Sequence, residues 1–247
     1  MPIKIFNKKI KYPAFLRMIY FKYFTKFQRK TVHLRGRLSE SEEFFFNSEK
    51  GKNLLNIKQF RKEVENDKTD NKEIFLEIGF GNGHHLLELS KENKDVKIYG
   101  VELYKAGVVK ILEKIREDNL SNLKILNLDA REVLESLKQE EISEVYILFP
   151  DPWPKKSQQK NRLLNMDFIK TCLAKTKVGG KIIIATDWAD YAEVIENNIS
   201  EIPFQSFKAS GEEENFNLKY KMILNSTFAR RAKKEGRKTV VFEIYKK

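Results

Sequence analysis

The chain has 247 residues, 41% hydrophobic and 33% charged, enough to bury one large core, with or without an extension, and stay in solution. No apolar run approaches the roughly 18–20 residues that cross a bilayer, and the basic N-terminus lacks the small-residue cleavage pattern of a signal peptide. Three histidines and one cysteine argue against a structural zinc site and allow no internal disulfide, which fits a reducing cytoplasm. The formal charge is +12, and the first acidic residue is Glu40. Eleven basic residues precede it, from Lys4 to Arg37, while the rest of the chain is nearly balanced. A block of this kind points to a polyanionic partner or is a solvated basic tail.

Within residues 1–39 the basic side chains alternate with Phe15, Tyr20, Phe21, Tyr23, Phe24 and Phe27. That is too apolar for simple disorder, and Pro13 to Arg29 reads as an amphipathic helix. Arg35-Gly36-Arg37 offers a turn with two guanidiniums. Residues 40–72 are polar, with weak helical patterns over Glu42–Phe46 and Ile57–Val64. The reading is a basic extension and connecting segment over 1–70 and a main domain over 71–247.

From Glu73 strands and helices alternate. Ile74–Ile78 reads as a strand, followed by Gly79-Phe80-Gly81-Asn82-Gly83 and a helix carrying Leu86, Leu87 and Leu89. Val96–Val101 is a strand ending at Glu102, followed by a helix with Val108, Val109, Ile111, Leu112 and Ile115 on one face. Leu123–Leu128 ends at Asp129, and a helix spans about Arg131–Lys138. Val145–Phe149 is a buried strand, and three prolines within the next few residues stiffen the loop Pro150-Asp151-Pro152-Trp153-Pro154-Lys155-Lys156. Leu163–Lys175 reads as a helix stopping at Gly179-Gly180. Lys181–Thr186 leads to Asp187-Trp188, then comes a helix over Ala189–Ile199, and two β-like runs, Phe204–Ala209 and Thr239–Tyr245, close the chain. This alternation predicts a doubly wound α/β fold: a seven-stranded, mostly parallel sheet with an antiparallel edge.

The glycine loop reads G-x-G-x-G, not the G-x-G-x-x-G of dinucleotide enzymes, and Glu77 precedes it. A pyrophosphate disfavours that carboxylate; a ligand bearing an ammonium, such as S-adenosylmethionine, favours it. Glu102 is placed to accept both hydroxyls of a ribose, and Asp129 to accept from an adenine amine. Each of these acids is alternatively a helix N-cap, but three acids ending three successive strands beside a glycine loop form a site. Trp153 is a stacking surface or a loop anchor. His84 and His85 stand at a helix start in packing or capping positions, and Cys172 belongs to the core. Arg230, Arg231, Lys233, Lys234, Arg237 and Lys238 form a basic cluster, either a solvated helix face or a contact to nucleic acid.

Several of these stretches together resemble the bacterial tRNA (guanine-N7-)-methyltransferase family of the TrmB type. They are the segment from Glu77 to Gly83, the loop Phe149–Lys156, Ala185-Thr186-Asp187-Trp188, Ser226-Thr227-Phe228-Ala229-Arg230-Arg231 with Gly236, and Arg35-Gly36-Arg37. The resemblance covers roughly residues 33–247, and the Pro-Asp-Pro-Trp loop is its most specific part. It implies a Rossmann-like class I S-adenosylmethionine-dependent methyltransferase that methylates N7 of guanine 46 in the tRNA variable loop. It implies donor contacts at Glu77, Gly79, Gly81, Gly83, Glu102, Asp129 and Asp151, with Asp151 catalytic. Lys155, Asp187, Ser226, Thr227, Phe228 and Ala229 would meet the substrate. Ser157, Gln158, Gln159, Lys160, Asn161 and Arg162 would touch RNA. No metal and no membrane are implied, and the oligomeric state, monomer or homodimer, stays open. Two departures stand out: Ala229 occupies the position of a family glutamate, and the stretch after Lys156 is less basic than is usual. The rival readings are a methyltransferase for another RNA base or a small molecule, a non-catalytic RNA-binding relative, and a nicotinamide oxidoreductase.

Overall fold

The computed structural model describes residues 37–202, 205–211 and 218–247. The basic aromatic stretch 1–36, with its predicted helix and Arg35-Gly36, lies outside the described residues.

Seven strands form one sheet: β1 (Ile74–Ile78), β2 (Lys97–Val101), β3 (Leu123–Leu126), β4 (Ile142–Leu148), β5 (Thr176–Thr186), β6 (Gln205–Gly211) and β7 (Val240–Lys246). Their order is β3-β2-β1-β4-β5-β7-β6. The first five are mutually parallel. The order reverses between β1 and β4, so a crevice opens outside the carboxyl ends of those two strands, the usual ligand position in open α/β sheets.

Nine helices accompany the described strands: α1 (Glu40–Ser48), α2 (Ile57–Thr69), α3 (His84–Glu92), α4 (Lys105–Glu117), α5 (Ala130–Ser136), α6 (Met166–Lys175), α7 (Ala189–Ser200), α8 (Leu218–Leu224) and α9 (Thr227–Lys234). Every residue of β1 is buried, as expected of a strand covered on both faces, and this is why its sequence is apolar at every position but Glu77. One face packs Leu76, Val145, Ile182 and Phe242 against Phe60 and Val64 of α2, Val133 and Leu134 of α5, Phe168 and Cys172 of α6, and Tyr191 and Ile195 of α7. The other packs Phe75, Ile98, Tyr146 and Ile183 against Phe46 of α1, Leu86 and Leu89 of α3, Ile111 and Leu112 of α4, and Met222 and Ile223 of α8. The two faint helical patterns ahead of residue 71 are therefore α1 and α2, each opened by a reciprocal capping box, Ser39 with Glu42 and Asn56 with Gln59. Both send side chains into the core.

Two details depart from the sequence reading. The antiparallel strand is not at the edge: β7 runs between β5 and β6, antiparallel to both. Gly179-Gly180 does not stop a helix either. Helix α6 ends at Lys175, β5 begins at Thr176, and the glycines lie inside the strand where its pairing with β4 jumps from Ile142–Thr176 to Glu144–Lys181. Gly179 has φ +79°, and a Cβ on Gly180 would sit 2.6 Å from the Ser143 carbonyl oxygen. The bulge favours both glycines, Gly179 for its left-handed backbone and Gly180 because a side chain there would strike the neighbouring strand.

At the amino edge of the sheet, Glu141 is fully buried and carries a polar cluster. Arg61 of α2 donates to both of its oxygens, the Lys138 N–H donates at 2.7 Å, and Lys68 lies 3.7 Å away. Burial alone would raise this carboxyl, but the Arg61 and Lys138 bonds outweigh it and hold its pKa below the ordinary value. A depressed carboxylate stabilises the fold above its unfolded pKa and loses that contribution as pH falls through the folded pKa. Glu141→Gln should therefore cost about 2–3 kcal/mol at pH 7, and the deficit should shrink as pH falls below the ordinary carboxylate range and through the lowered folded pKa. Urea unfolding of both proteins over a descending pH series checks this.

Candidate active site

The carboxyl ends of the strands place the sequence-predicted acids in one row. In the spatial order of the sheet they are Asp129 after β3, Glu102 after β2, Glu77 at the end of β1, Asp151 after β4 and Asp187 after β5. The glycine loop and the proline loop flank the crevice between β1 and β4.

The glycine loop is built by contacts on both sides of the chain. Gly79, Gly81 and Gly83 all have positive φ. They are not equivalent, however. A Cβ on Gly79 would meet nothing within 4 Å, so this backbone borders open space. A Cβ on Gly83 would strike Ile111 Cδ1 at 2.4 Å, so this glycine packs the start of α3 onto α4. Sequence reading missed a fourth glycine, Gly107, in the first turn of α4: a Cβ there would lie 2.1 Å from the Gly81 carbonyl oxygen. The signal was a glycine inside a helix, a position that costs about 1 kcal/mol against alanine and needs a reason.

Each acid has a distinct set of partners. Glu102 is half-buried and accepts three backbone N–H bonds, from Gly81 at 2.9 Å, Leu103 at 2.7 Å and Tyr104 at 2.8 Å. It ties the glycine loop to the start of α4 while facing the row. Asp129 is the N-cap of α5, accepting from the Arg131 N–H at 2.8 Å. The cap reading and the site reading are thus compatible, since a carboxylate has several lone-pair sites and the cap uses one. Glu77 is 2% exposed and bonds His85 Nδ1 at 2.8 Å. Asp151 is exposed, and among the described residues no hydrogen bond or ion pair engages it. Asp187 is held by Arg237, whose Nε and Nη2 donate to Oδ2 at 2.9 and 2.7 Å. Those bonds and one to Glu235 hold the guanidinium above its ordinary pKa.

The proline loop is strained and anchored. Phe149 and Trp153 bracket Asp151 with φ of +51° and +42°; left-handed backbone at two bulky residues is uncommon and marks functional loops. The anchor is Arg162. Expected at an RNA surface, it is 6% exposed. It donates to the Pro152 carbonyl at 2.8 Å and to Asp190 at 2.7 Å, and its guanidinium lies 4.6 Å from the centre of the Tyr191 ring. Burial pushes the Tyr191 phenol up to about 12, and its oxygen accepts from the Leu164 N–H at 2.9 Å. Lys155, Ser157 and Lys160 are exposed on the loop and on the single 3-10 turn Lys156–Asn161; Gln158, Gln159 and Asn161 are half-buried there.

The C-terminal element closes over this edge. Ser226 caps α9, accepting from the Ala229 N–H at 3.2 Å. Phe228 is 52% exposed. It stacks on Phe149 with ring centroids 5.8 Å apart and planes 20° apart, and it also borders Gly81. Thr227 is exposed, whereas Ala229 is 5% exposed and turned inward. The donor set suits a ligand with an ammonium, a ribose diol and an adenine: acids at the three strand ends and open backbone at Gly79, with Arg131 3.6 Å from Asp129 as the one cation described beside them. Among the described residues, no group of three or more His, Cys, Asp or Glu is arranged to hold a metal ion, and no helix is long and apolar enough to cross a membrane.

Comparison with known proteins follows the same lines. The Methyltransf_4 family model, described as "Putative methyltransferase", matches residues 71–242. A tRNA (guanine-N(7)-)-methyltransferase of Wolbachia pipientis wMel is 34% identical over 188 residues, covering 76% of this chain and 81% of that protein. One from Nitrosococcus oceani is 40% identical over 130 residues, 52% of this chain and 55% of that protein. Among solved structures, the 16S rRNA methyltransferase KamB superposes with a TM-score of 0.54 at 15% identity, over 75% of this chain and 94% of that one; at this identity the likeness concerns the fold, a class I methyltransferase fold. The chain belongs to the tRNA (guanine-N7-)-methyltransferase family.

Proposed function

We infer that this chain transfers a methyl group from S-adenosylmethionine to N7 of a guanine in tRNA, at position 46 of the variable loop. The observation that supports it most is the row of five acids along one sheet edge, divided at the crevice. Asp129, Glu102 and Glu77 stand on the glycine-loop side, Asp151 and Asp187 on the proline-loop side. On this reading Glu77 meets the donor's ammonium, Glu102 its ribose hydroxyls and Asp129 its adenine amine. The donor, when bound, supplies an electrophilic methyl group on a sulfonium sulfur.

Guanine N7 has a lone pair and no proton, so no residue must act as general base. The chain has to hold the base in line and offset the charge it gains. Asp151, exposed and unengaged between two strained residues, is suited to that developing cation. Asp187 has one oxygen taken by Arg237 and presents the other. A carboxylate there accepts from guanine N1–H and N2–H and so reads guanine against adenine. The exposed face of Phe228, or Trp153, offers a stacking surface for an extruded base. Lys155 and Lys160, the exposed face of α9 and the positive block of residues 1–39 supply phosphate contacts.

Labelled methyl transfer to bulk tRNA, followed by nucleoside analysis, should yield 7-methylguanosine, lost when guanine 46 is replaced; label on another nucleoside would overturn the reading. Asp151→Ala should lower turnover by about 10²–10³ and leave the tRNA Kd within about twofold. Replacing Arg230 and Lys234 together by alanine should weaken tRNA binding and reduce the slope of log K against log salt by about 1–2, with S-adenosylhomocysteine affinity unchanged by calorimetry.

A further inference from the structure

His85 packs in the core and also makes a buried hydrogen bond. It sits in the first turn of α3, 5% exposed, on the sheet face that also buries Tyr146. Its Nδ1 bonds Glu77 Oε2 at 2.8 Å, and its ring lies 5.1 Å from the Tyr146 ring. Its other nitrogen, Nε2, is buried with no hydrogen-bond partner among the described residues. A buried polar atom left unmatched weakens a fold, and an aliphatic side chain would fill the space without that loss. What the histidine gives in return is a bond to a carboxylate that is itself 2% exposed. Among the described residues, His85 is the one side chain bonded to Glu77, and no described bond engages Oε1.

We propose that His85 is a positioning residue for the methyl donor. Its Nδ1 fixes one oxygen of Glu77 and so fixes the carboxylate plane. The remaining oxygen is then presented at the crevice to the ammonium of the donor, and of its product. The same bond keeps Glu77 hydrogen-bonded between turnovers, when no ammonium is there to match it. This proposal rests on the assignment of Glu77 to the donor site.

The test is calorimetric binding of S-adenosylhomocysteine to the full-length protein, which needs no turnover. His85→Leu should raise the Kd at least tenfold, with tRNA affinity unchanged. His85→Asn places an amide N–H at about the reach of Nδ1 and should recover most of the affinity. His85→Gln, whose amide lies at the reach of Nε2, should not. Methyl-transfer kinetics should show the loss chiefly in KM for S-adenosylmethionine. Wild-type affinity in a folded His85→Leu protein would overturn the proposal, and so would equal impairment of the Asn and Gln variants. The Asn and Gln pair decides the matter if the leucine variant does not fold. Glu77→Gln separates the two levels. If it weakens binding and His85→Leu does not, only the role of His85 fails. If it too leaves binding unchanged, the donor assignment of Glu77 fails, and the His85 proposal with it.

Discussion

The site depends on how one residue, Gly81, is held. Its N–H is bonded by Glu102 at 2.9 Å, and its carbonyl lies where a Cβ on Gly107 would approach to 2.1 Å. The glycine loop is therefore locked onto the start of α4 from both sides, and neither contact can slacken without moving the other. On the proposed reading Glu102 serves the donor and the loop's own framework at once. An acid already ordered by three backbone N–H groups loses little freedom when a ligand arrives, which is how preorganisation raises affinity without new contacts.

Across the crevice the same end is reached by strain. Left-handed backbone at Phe149 and Trp153 costs about 1–3 kcal/mol each, and the surroundings must over-determine it. Arg162 does so from below, by bonding the Pro152 carbonyl and Asp190 and stacking on Tyr191. Phe228 does so from above, by stacking on Phe149. Between these two clamps Asp151 is left exposed. A carboxylate that no cation neutralises is suited to stabilise a cation that exists only during reaction, whereas an ion-paired one would be spent beforehand. Asp187, with Arg237 on one oxygen, suits a standing hydrogen-bonding task instead.

Much of this was legible in the sequence, because it was written locally. Ile74–Ile78, Glu77 apart, and Val145–Leu148 are apolar since both faces of the sheet are covered, and the acids that end β1, β2 and β3 follow directly from strand periodicity. What was not legible depends on partners far along the chain. Nothing local distinguishes Arg162 from Lys160; its inward turn is decided by Asp190 and Tyr191, 28 and 29 residues later. Gly179-Gly180 has the composition of a helix stop and becomes a bulge only because the Ser143 carbonyl lies beside it. The insertion of β7 between β5 and β6 is a property of pairing, and a strand's sequence does not say on which side it will pair. His85 follows a glycine loop as any helix-opening residue might, and only the fold brings Glu77 within 2.8 Å.

Helix α9 joins the two halves of the site. At its beginning Phe228 borders the Gly81 loop and stacks on the Phe149 ring; just past its end Arg237 grips Asp187. Eight residues at about 1.5 Å each give a rod of about 12 Å, and the step from β1 across β4 to β5 is two strand spacings of about 4.8 Å, or about 10 Å. The helix is thus the right length to bar the carboxyl edge from the glycine loop to β5. Its inner side is Ala229 and Ala232, both buried, and its outer side carries Arg230, Arg231, Lys233 and Lys234. Small residues inside let the bar lie close to the sheet edge. A glutamate at 229 would have to turn a charge into that buried contact or lift the helix away from it. The alanine therefore fits a closed bar that leaves Asp187, at the end of β5, as the nearby carboxylate and carries only basic charge on its outer face, which is what the proposed tRNA contact asks of it.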